Sequence, residues 1–170
     1  TYPRVEIFFL TDQQSSQLSF WHPANIIGTW FGSGLLPYAP GTWGSLAALP
    51  FGWAISTALG QWGLVIAAGL LFGIGVWASE VCARYDSNKD PEKVVVDEVV
   101  GQWLVIATVP PDVVLFLIGF LLFRLFDIVK TWPANTIDRH LQGGLGIMLD
   151  DVIAAIYSAF ILWLISLAVV

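Results

Sequence analysis

Five acidic residues, Asp97-Glu98, Asp127 and Asp150-Asp151, stand at or just inside the ends of strongly apolar segments. Only 12% of the residues are charged, and mean hydropathy is +0.74. Carboxylates at the border of an apolar phase are costly unless they are paired, hydrated or holding a cation. Five of them at segment ends point to one shared polar site built by several helices, which limits the folds open to the chain.

The 170 residues suffice for one domain. Hydrophobic residues make up 56% of the chain, with nine Trp and eleven Phe. A soluble domain carries about twice this share of charge, so the class expected is an integral membrane protein. The net charge of −6 argues against nucleic acid, whose recognition needs a basic footprint. The single Cys82 excludes an internal disulfide and a cysteine metal cluster, and reads as a small buried residue. No cleavable signal peptide is expected, because residues 1–25 lack a basic stretch followed by an apolar one.

Residues 1–25 read as a polar lead, with Gln13-Gln14-Ser15-Ser16-Gln17 mobile, and residues 26–170 as a single membrane-embedded domain. The stretches Gly32-Ser33-Gly34-Leu35-Leu36-Pro37 and Pro40-Gly41-Thr42-Trp43-Gly44-Ser45 suggest turns rather than helix. Apolar runs follow at Leu46–Leu59 and Trp62–Cys82, separated by a tight break at Gly60-Gln61. Gly69 and Gly73 form a Gly-x-x-x-Gly helix-contact signal. Residues 83–96 are charged and read as a solvated loop. Val99–Val109 is apolar and stops at Pro110-Pro111. Asp112 is placed to cap a helix from Val113 to about Lys130. A polar loop over Thr131–Leu149 carries His140, which suits loop or capping use, and a final apolar helix runs over Asp150–Val170.

The expected fold is therefore all-α, a polytopic bundle of about five membrane helices. Arg4, Arg84, Lys89, Lys93, Lys130 and Arg139 all fall on one side if the N-terminus is inside. The five acids then also face the cytoplasm. The segment Asp97–Val109 spans only about 20 Å as helix, so it can be sunk in the bundle without crossing the membrane.

Arg124 and Asp127 are three residues apart and share a helix face, while Lys130 projects elsewhere. The pair can simply be an intrahelical ion pair that makes a buried charge tolerable. Acids at Asp97-Glu98 and Asp150-Asp151 can likewise be ordinary helix openers. The coincidence of all five on one side favours a shared site. Converging carboxylates repel unless a divalent cation sits among them, and oxygen-only ligands suit Mg²⁺, which readily bridges to phosphate. Arg124 and Lys130 could hold such a phosphate. The string from Pro40 to Ser45 could add a backbone nest for an anion just before a helix. His22 and His140 are too isolated for a zinc site.

Seven ordered motifs carry a resemblance. They are Phe31-Gly32-Ser33-Gly34-Leu35-x-Pro37, Pro40-Gly41-Thr42-x-Gly44-Ser45, Asp97-Glu98-x-x-Gly101, Phe123-Arg124-x-x-Asp127-x-x-Lys130, Trp132-Pro133, Asp138-Arg139 and Gly143-Gly144-x-Gly146-Ile147-Met148-x-Asp150-Asp151. Over roughly residues 27–165 the chain resembles the phosphatidylglycerophosphatase A family of bacterial membrane enzymes. The resemblance implies Mg²⁺-dependent hydrolysis of the phosphate monoester of phosphatidylglycerophosphate, a step of phospholipid biosynthesis at the inner membrane. It implies metal-binding or catalytic roles for Asp97, Glu98, Asp127, Asp150 and Asp151, and phosphate binding by Arg124 and Lys130, with Thr42 and Ser45 as weaker candidates. Thr131 stands where the pattern leads one to expect Pro, and Ala155 where a Gly often follows the last acids. Neither change removes a charged group.

Other readings make different demands. A cation transporter or channel expects acids near the midplane, broken helices and internal repeats; here the acids sit at segment ends. A headgroup transferase using a CDP-alcohol needs an Asp-Gly-x-x-Ala-Arg string, and a His-dependent lipid phosphatase needs a second catalytic His beside a Ser-Gly-His string; neither string occurs. An activated water is the expected nucleophile, with direct attack by a carboxylate as the alternative.

Overall fold

A computed structural model describes residues 18–86, 92–129 and 143–169. Within them the chain is helical throughout: α1 over Pro23–Gly28, a 3-10 turn over Ser33–Leu35, α2 over Pro40–Tyr85, α3 over Val96–Ile106, α4 over Val113–Val129 and α5 over Gly144–Val169. The Gln13–Gln17 run, expected to be mobile, and the residues Lys130, Trp132-Pro133, Asp138-Arg139 and His140 lie outside the described residues.

Helix α2 is two rods rather than one. Gly60 has φ 72° and ψ −178°, a backbone state that side-chain-bearing residues avoid. The chain folds back there, because Gly44 and Gly75, nearly equidistant from Gly60, pack on the consecutive residues Val95 and Val96. The break expected at Gly60-Gln61 is thus a hairpin between two antiparallel arms. With α3, α4 and α5 they make five helical rods running alternately up and down. The segment Pro40–Ser45, expected as turns, instead forms the first turns of α2. Pro40 suits the first helical position, and Gly41 and Gly44 are needed where α2 lies against α3.

The short helix α3 is the hub. Val95, Val96, Val99, Val105 and Ile106 are fully buried, and Val100 is nearly so. A helix buried along most of its length has to be enclosed by others, and here both arms of α2, together with α4 and α5, supply the enclosure. Gly101 takes the ring of Phe123 from α4, and Trp103 Nε1 donates to the Ala48 carbonyl of α2 at 2.9 Å. At about 16 Å, α3 is too short to cross a bilayer, in line with the expected sunken segment.

The rod ends carry their own signals. Asp112 Oδ1 accepts from the Val114 and Leu115 amides at 2.9 Å, the cap expected for α4. His22 Nδ1 accepts from the Ala24 amide at 3.2 Å, so α1 runs across the expected boundary of the polar lead at residue 25. Asp150 and Asp151 do not open α5, which begins six residues earlier at Gly144. Its first amide donates instead to Glu80 Oε2 of α2 at 2.9 Å, a cap supplied by another helix. Cys82 is buried, with its thiol 3.5 Å from the Ala24 carbonyl, as a small core residue would be. A Cβ at Gly69 or Gly73 would meet nothing within 4 Å, so that pair makes no close helix contact among the described residues.

Two helices, Pro40–Tyr85 and Gly144–Ala168, are long and apolar enough to cross a membrane. Because only glycine rests easily at Gly60, Gly60→Ala is expected to lower stability by roughly 1–3 kcal/mol, read as a lower melting temperature in detergent. An unchanged melting temperature would mean that the hairpin does not depend on that conformation.

Candidate active site

The acids meet at one end of the bundle because three helices deliver them there. The first turn of α3 presents Asp97 and Glu98, the last turns of α4 present Arg124 and Asp127, and the second turn of α5 presents Asp150 and Asp151. One carboxylate oxygen each from Asp97, Glu98 and Asp151 lies within 4.8 Å of the others. The Asp127 carboxyl lies beside that of Asp151 and within electrostatic reach of Glu98, and Asp150 is within such reach of Asp151. Asp127 and Asp150 stand outside the three-oxygen group.

Arg124 ties the acids together. Its Nη1 lies 2.6 Å from Asp127 Oδ2 and 3.8 Å from Glu98 Oε1, and donates to Ser45 Oγ at 3.4 Å. The three charged side chains are each about 85% buried. The intrahelical pair with Asp127 therefore exists, but it is one limb of a fork that reaches a second helix. Ser45 is fully buried and donates in turn to the Gly41 carbonyl at 2.8 Å. Thr42 is half-buried, and among the described residues its hydroxyl makes no hydrogen bond to the site. Lys130 lies outside the described residues.

The first turn of α2 closes over this centre. A Cβ at Gly41 would fall on Glu98 Oε1 and lie 3.1 Å from Arg124 Nη1. Only a glycine lets the helix start come this near, and the string expected to form a turn before a helix is itself the start of one. The N-terminal end of α2 is then a source of positive potential beside the acids.

Five carboxyl groups thus face one guanidinium among the described residues. Asp97 Oδ1, Glu98 Oε2, Asp151 Oδ2 and Arg124 Nε are buried without a hydrogen-bond partner there. Buried polar atoms left this way are costly, and crowded carboxylates repel unless protons or a cation sit among them. The donors are all hard oxygens, the set that Mg²⁺ prefers. These oxygens all lie within 4.8 Å of one another, close to the roughly 4.2 Å between opposite ligands of an octahedral Mg²⁺. The residues therefore fit a divalent cation.

Two polar residues that the sequence did not single out stand on the helices that build the site. Gln102 is fully buried one turn beyond Glu98, with neither amide atom hydrogen-bonded among the described residues. Its signal was a lone amide four residues after Glu98 in an otherwise apolar helix. Glu80 gave no signal, since its partner amide lies 64 residues away.

Fold and site together define a class: an all-helical, strongly apolar protein whose buried carboxylates and arginine are suited to a divalent cation and an anionic group. The chain belongs to the phosphatidylglycerophosphatase A family, whose sequence pattern matches residues 26–166. It is 39% identical over 159 residues to phosphatidylglycerophosphatase A of Escherichia coli (strain K12), covering 91% of this chain and 90% of that one. The protein of the same name from Haemophilus influenzae is 37% identical over 151 residues, covering 88% and 93%. A Bacteroides thetaiotaomicron protein provisionally described as a phosphatidylinositol-3-phosphatase is 39% identical over 148 residues, covering 78% and 87%. No solved structure matches.

Breaking a buried ion pair strands its partner. Arg124→Met is expected to lower stability by roughly 3 kcal/mol, and adding Asp127→Asn should restore part of the loss. Thermal melts of the two variants check this, and a double variant less stable than the single one would contradict the pairing.

Proposed function

We propose that this chain hydrolyses the phosphate monoester of phosphatidylglycerophosphate to phosphatidylglycerol and inorganic phosphate, with Mg²⁺, in the bacterial inner membrane. The observation that carries the reading is the three-helix carboxylate group of Asp97, Glu98 and Asp151 beside Arg124, in a chain of this family. The names of two relatives support the substrate. The third relative's name shares the lipid phosphate monoester and differs in the headgroup.

Asp97, Glu98 and Asp151 would hold the ion, with Asp127 and Asp150 next to them. When bound, Mg²⁺ neutralises the phosphate oxygens and favours charge build-up on them. Arg124, whose Nε has donor capacity to spare, and Lys130 orient the phosphate, and the start of α2 adds its dipole beside Ser45 and Thr42. One of the five carboxylates accepts a proton from the attacking water. The new bond joins the water oxygen to phosphorus, the bond from phosphorus to the glycerol oxygen breaks, and that oxygen takes up a proton.

The membrane setting has its own support. Leu59, Ile66, Leu70, Leu121, Ile128, Ile156 and Leu167 all expose more than 60% of their surface. Large apolar side chains left this exposed on three helices suit a lipid surrounding. Trp62 at the Gly60 hairpin and Trp21 near the site end are both exposed, as interfacial anchors are. On this reading α2, α4 and α5 pass through the bilayer, and the acid centre faces the cytoplasm at headgroup depth.

Purified protein should release phosphate from phosphatidylglycerophosphate with Mg²⁺ and stop when EDTA is added. Asp151→Asn should lower the rate by about a hundredfold or more. Full activity in EDTA would remove the metal from the reading, and faster turnover of phosphatidylinositol 3-phosphate would reassign the headgroup.

A further inference from the structure

We infer that the apolar groove between the first arm of α2 and α4 holds one acyl chain of the lipid substrate. The groove has a volume of about 350 Å³ and is lined by Leu46, Leu49, Pro50, Trp53, Phe116 and Leu117, with Val113 at its far end. That volume lies within the roughly 300–1,000 Å³ typical of pockets that bind small ligands. The inference rests on the proposed function, since it supplies the apolar half of the same ligand.

The groove and the acid centre draw on the same two helices, α2 and α4. On α2 the lining residues recur at i, i+3, i+4 and i+7, the spacing of one helix face. One turn back along that face from Leu46 and Leu49 stand Thr42 and Ser45. On α4, two turns on from Leu117 comes Arg124. The two helices run antiparallel here, and the hydrogen bond from Arg124 to Ser45 bridges them at the end of the groove nearest the acids. Charged groups thus sit on the same two helices beyond one end of a groove whose own lining is hydrocarbon. A ligand matching both parts has an anionic head and an apolar tail, in that order. Inorganic phosphate or a water-soluble phosphate ester would use only the upper end.

Depth along α4 then measures chain length. From Arg124 to Leu117 is about 10 Å along the helix axis, and to Val113 about 16 Å. A bulky side chain at Leu117 should obstruct most acyl chains, whereas one at Val113 should obstruct only long ones. Leu117 and Val113 are about half exposed, so an added ring has room without disturbing the core.

The test compares dipalmitoyl and dihexanoyl phosphatidylglycerophosphate in the same detergent, using wild type, Leu117→Trp and Val113→Trp. Each kcat/KM is divided by the wild-type value for the same substrate, which removes differences in micelle partitioning. Leu117→Trp should lower kcat/KM for the long-chain substrate by about tenfold or more, the scale of apolar-pocket discrimination. The short-chain substrate should be affected less by Leu117→Trp and hardly at all by Val113→Trp. Leu70→Trp, on the exposed face of the other arm of α2, should change neither. Equal losses on both substrates, or no loss on either, would overturn the groove as the acyl site. A wild-type protein that cleaves neither substrate would instead sink the proposed function.

Discussion

Everything in this structure is arranged around carboxylates that do not tolerate one another's company. Five acidic side chains are drawn to one end of an apolar bundle, and a single guanidinium reaches two of them directly. Charge repulsion and lost hydration both oppose that gathering. The packing of α3 against its neighbours has to hold the acids in place. The fully buried valines of α3 and its contact with Phe123 at Gly101 provide that hold. A site under such internal repulsion is poised to take up positive charge, which a divalent cation can bring.

The same constraint explains the small residues around the centre. Gly41 brings the start of α2 against Glu98 and Arg124, and Gly44 seats that helix on Val95. Ser45 adds a hydroxyl that accepts a hydrogen bond from Arg124 and donates one to the Gly41 carbonyl. The first turns of α2 therefore act as a lid of peptide dipoles over the acids. Below this lid the contact surfaces become hydrocarbon. A polar head above and an apolar wall beneath match the two halves of a lipid with a phosphate monoester.

Much of this could be read directly from the residues. The all-helical class, the break at Gly60, the cap at Asp112, the buried Cys82 and the pairing of Arg124 with Asp127 depend on local chemistry or on short spacings. Errors arose where a distant partner overrode a local preference. Pro40–Ser45 looked like turns because glycines weaken isolated helices, yet α3 needs them small at that point. Asp150 and Asp151 looked like helix openers because acids favour that position, but Glu80 caps α5 from across the bundle and lets it begin at Gly144. Gly69 and Gly73 had contact spacing without a partner among the described residues. Lys130 had its own motif and lies outside the described residues.

By itself the sequence determined that the chain is apolar and helical, that its charge is concentrated in a few acids at segment ends, and which residue types are offered for chemistry. Composition and short-range periodicity suffice for that, because hydrophobic burial and helix capping act within a few turns. Only the tertiary structure decided that oxygens of Asp97, Glu98 and Asp151 come within 4.8 Å of one another, and that Arg124 bridges two helices and Ser45 of a third. It alone also laid an apolar groove beneath that bridge. Those outcomes depend on how the rods cross and in what order, and no spacing along the chain encodes a distance between residues on different rods.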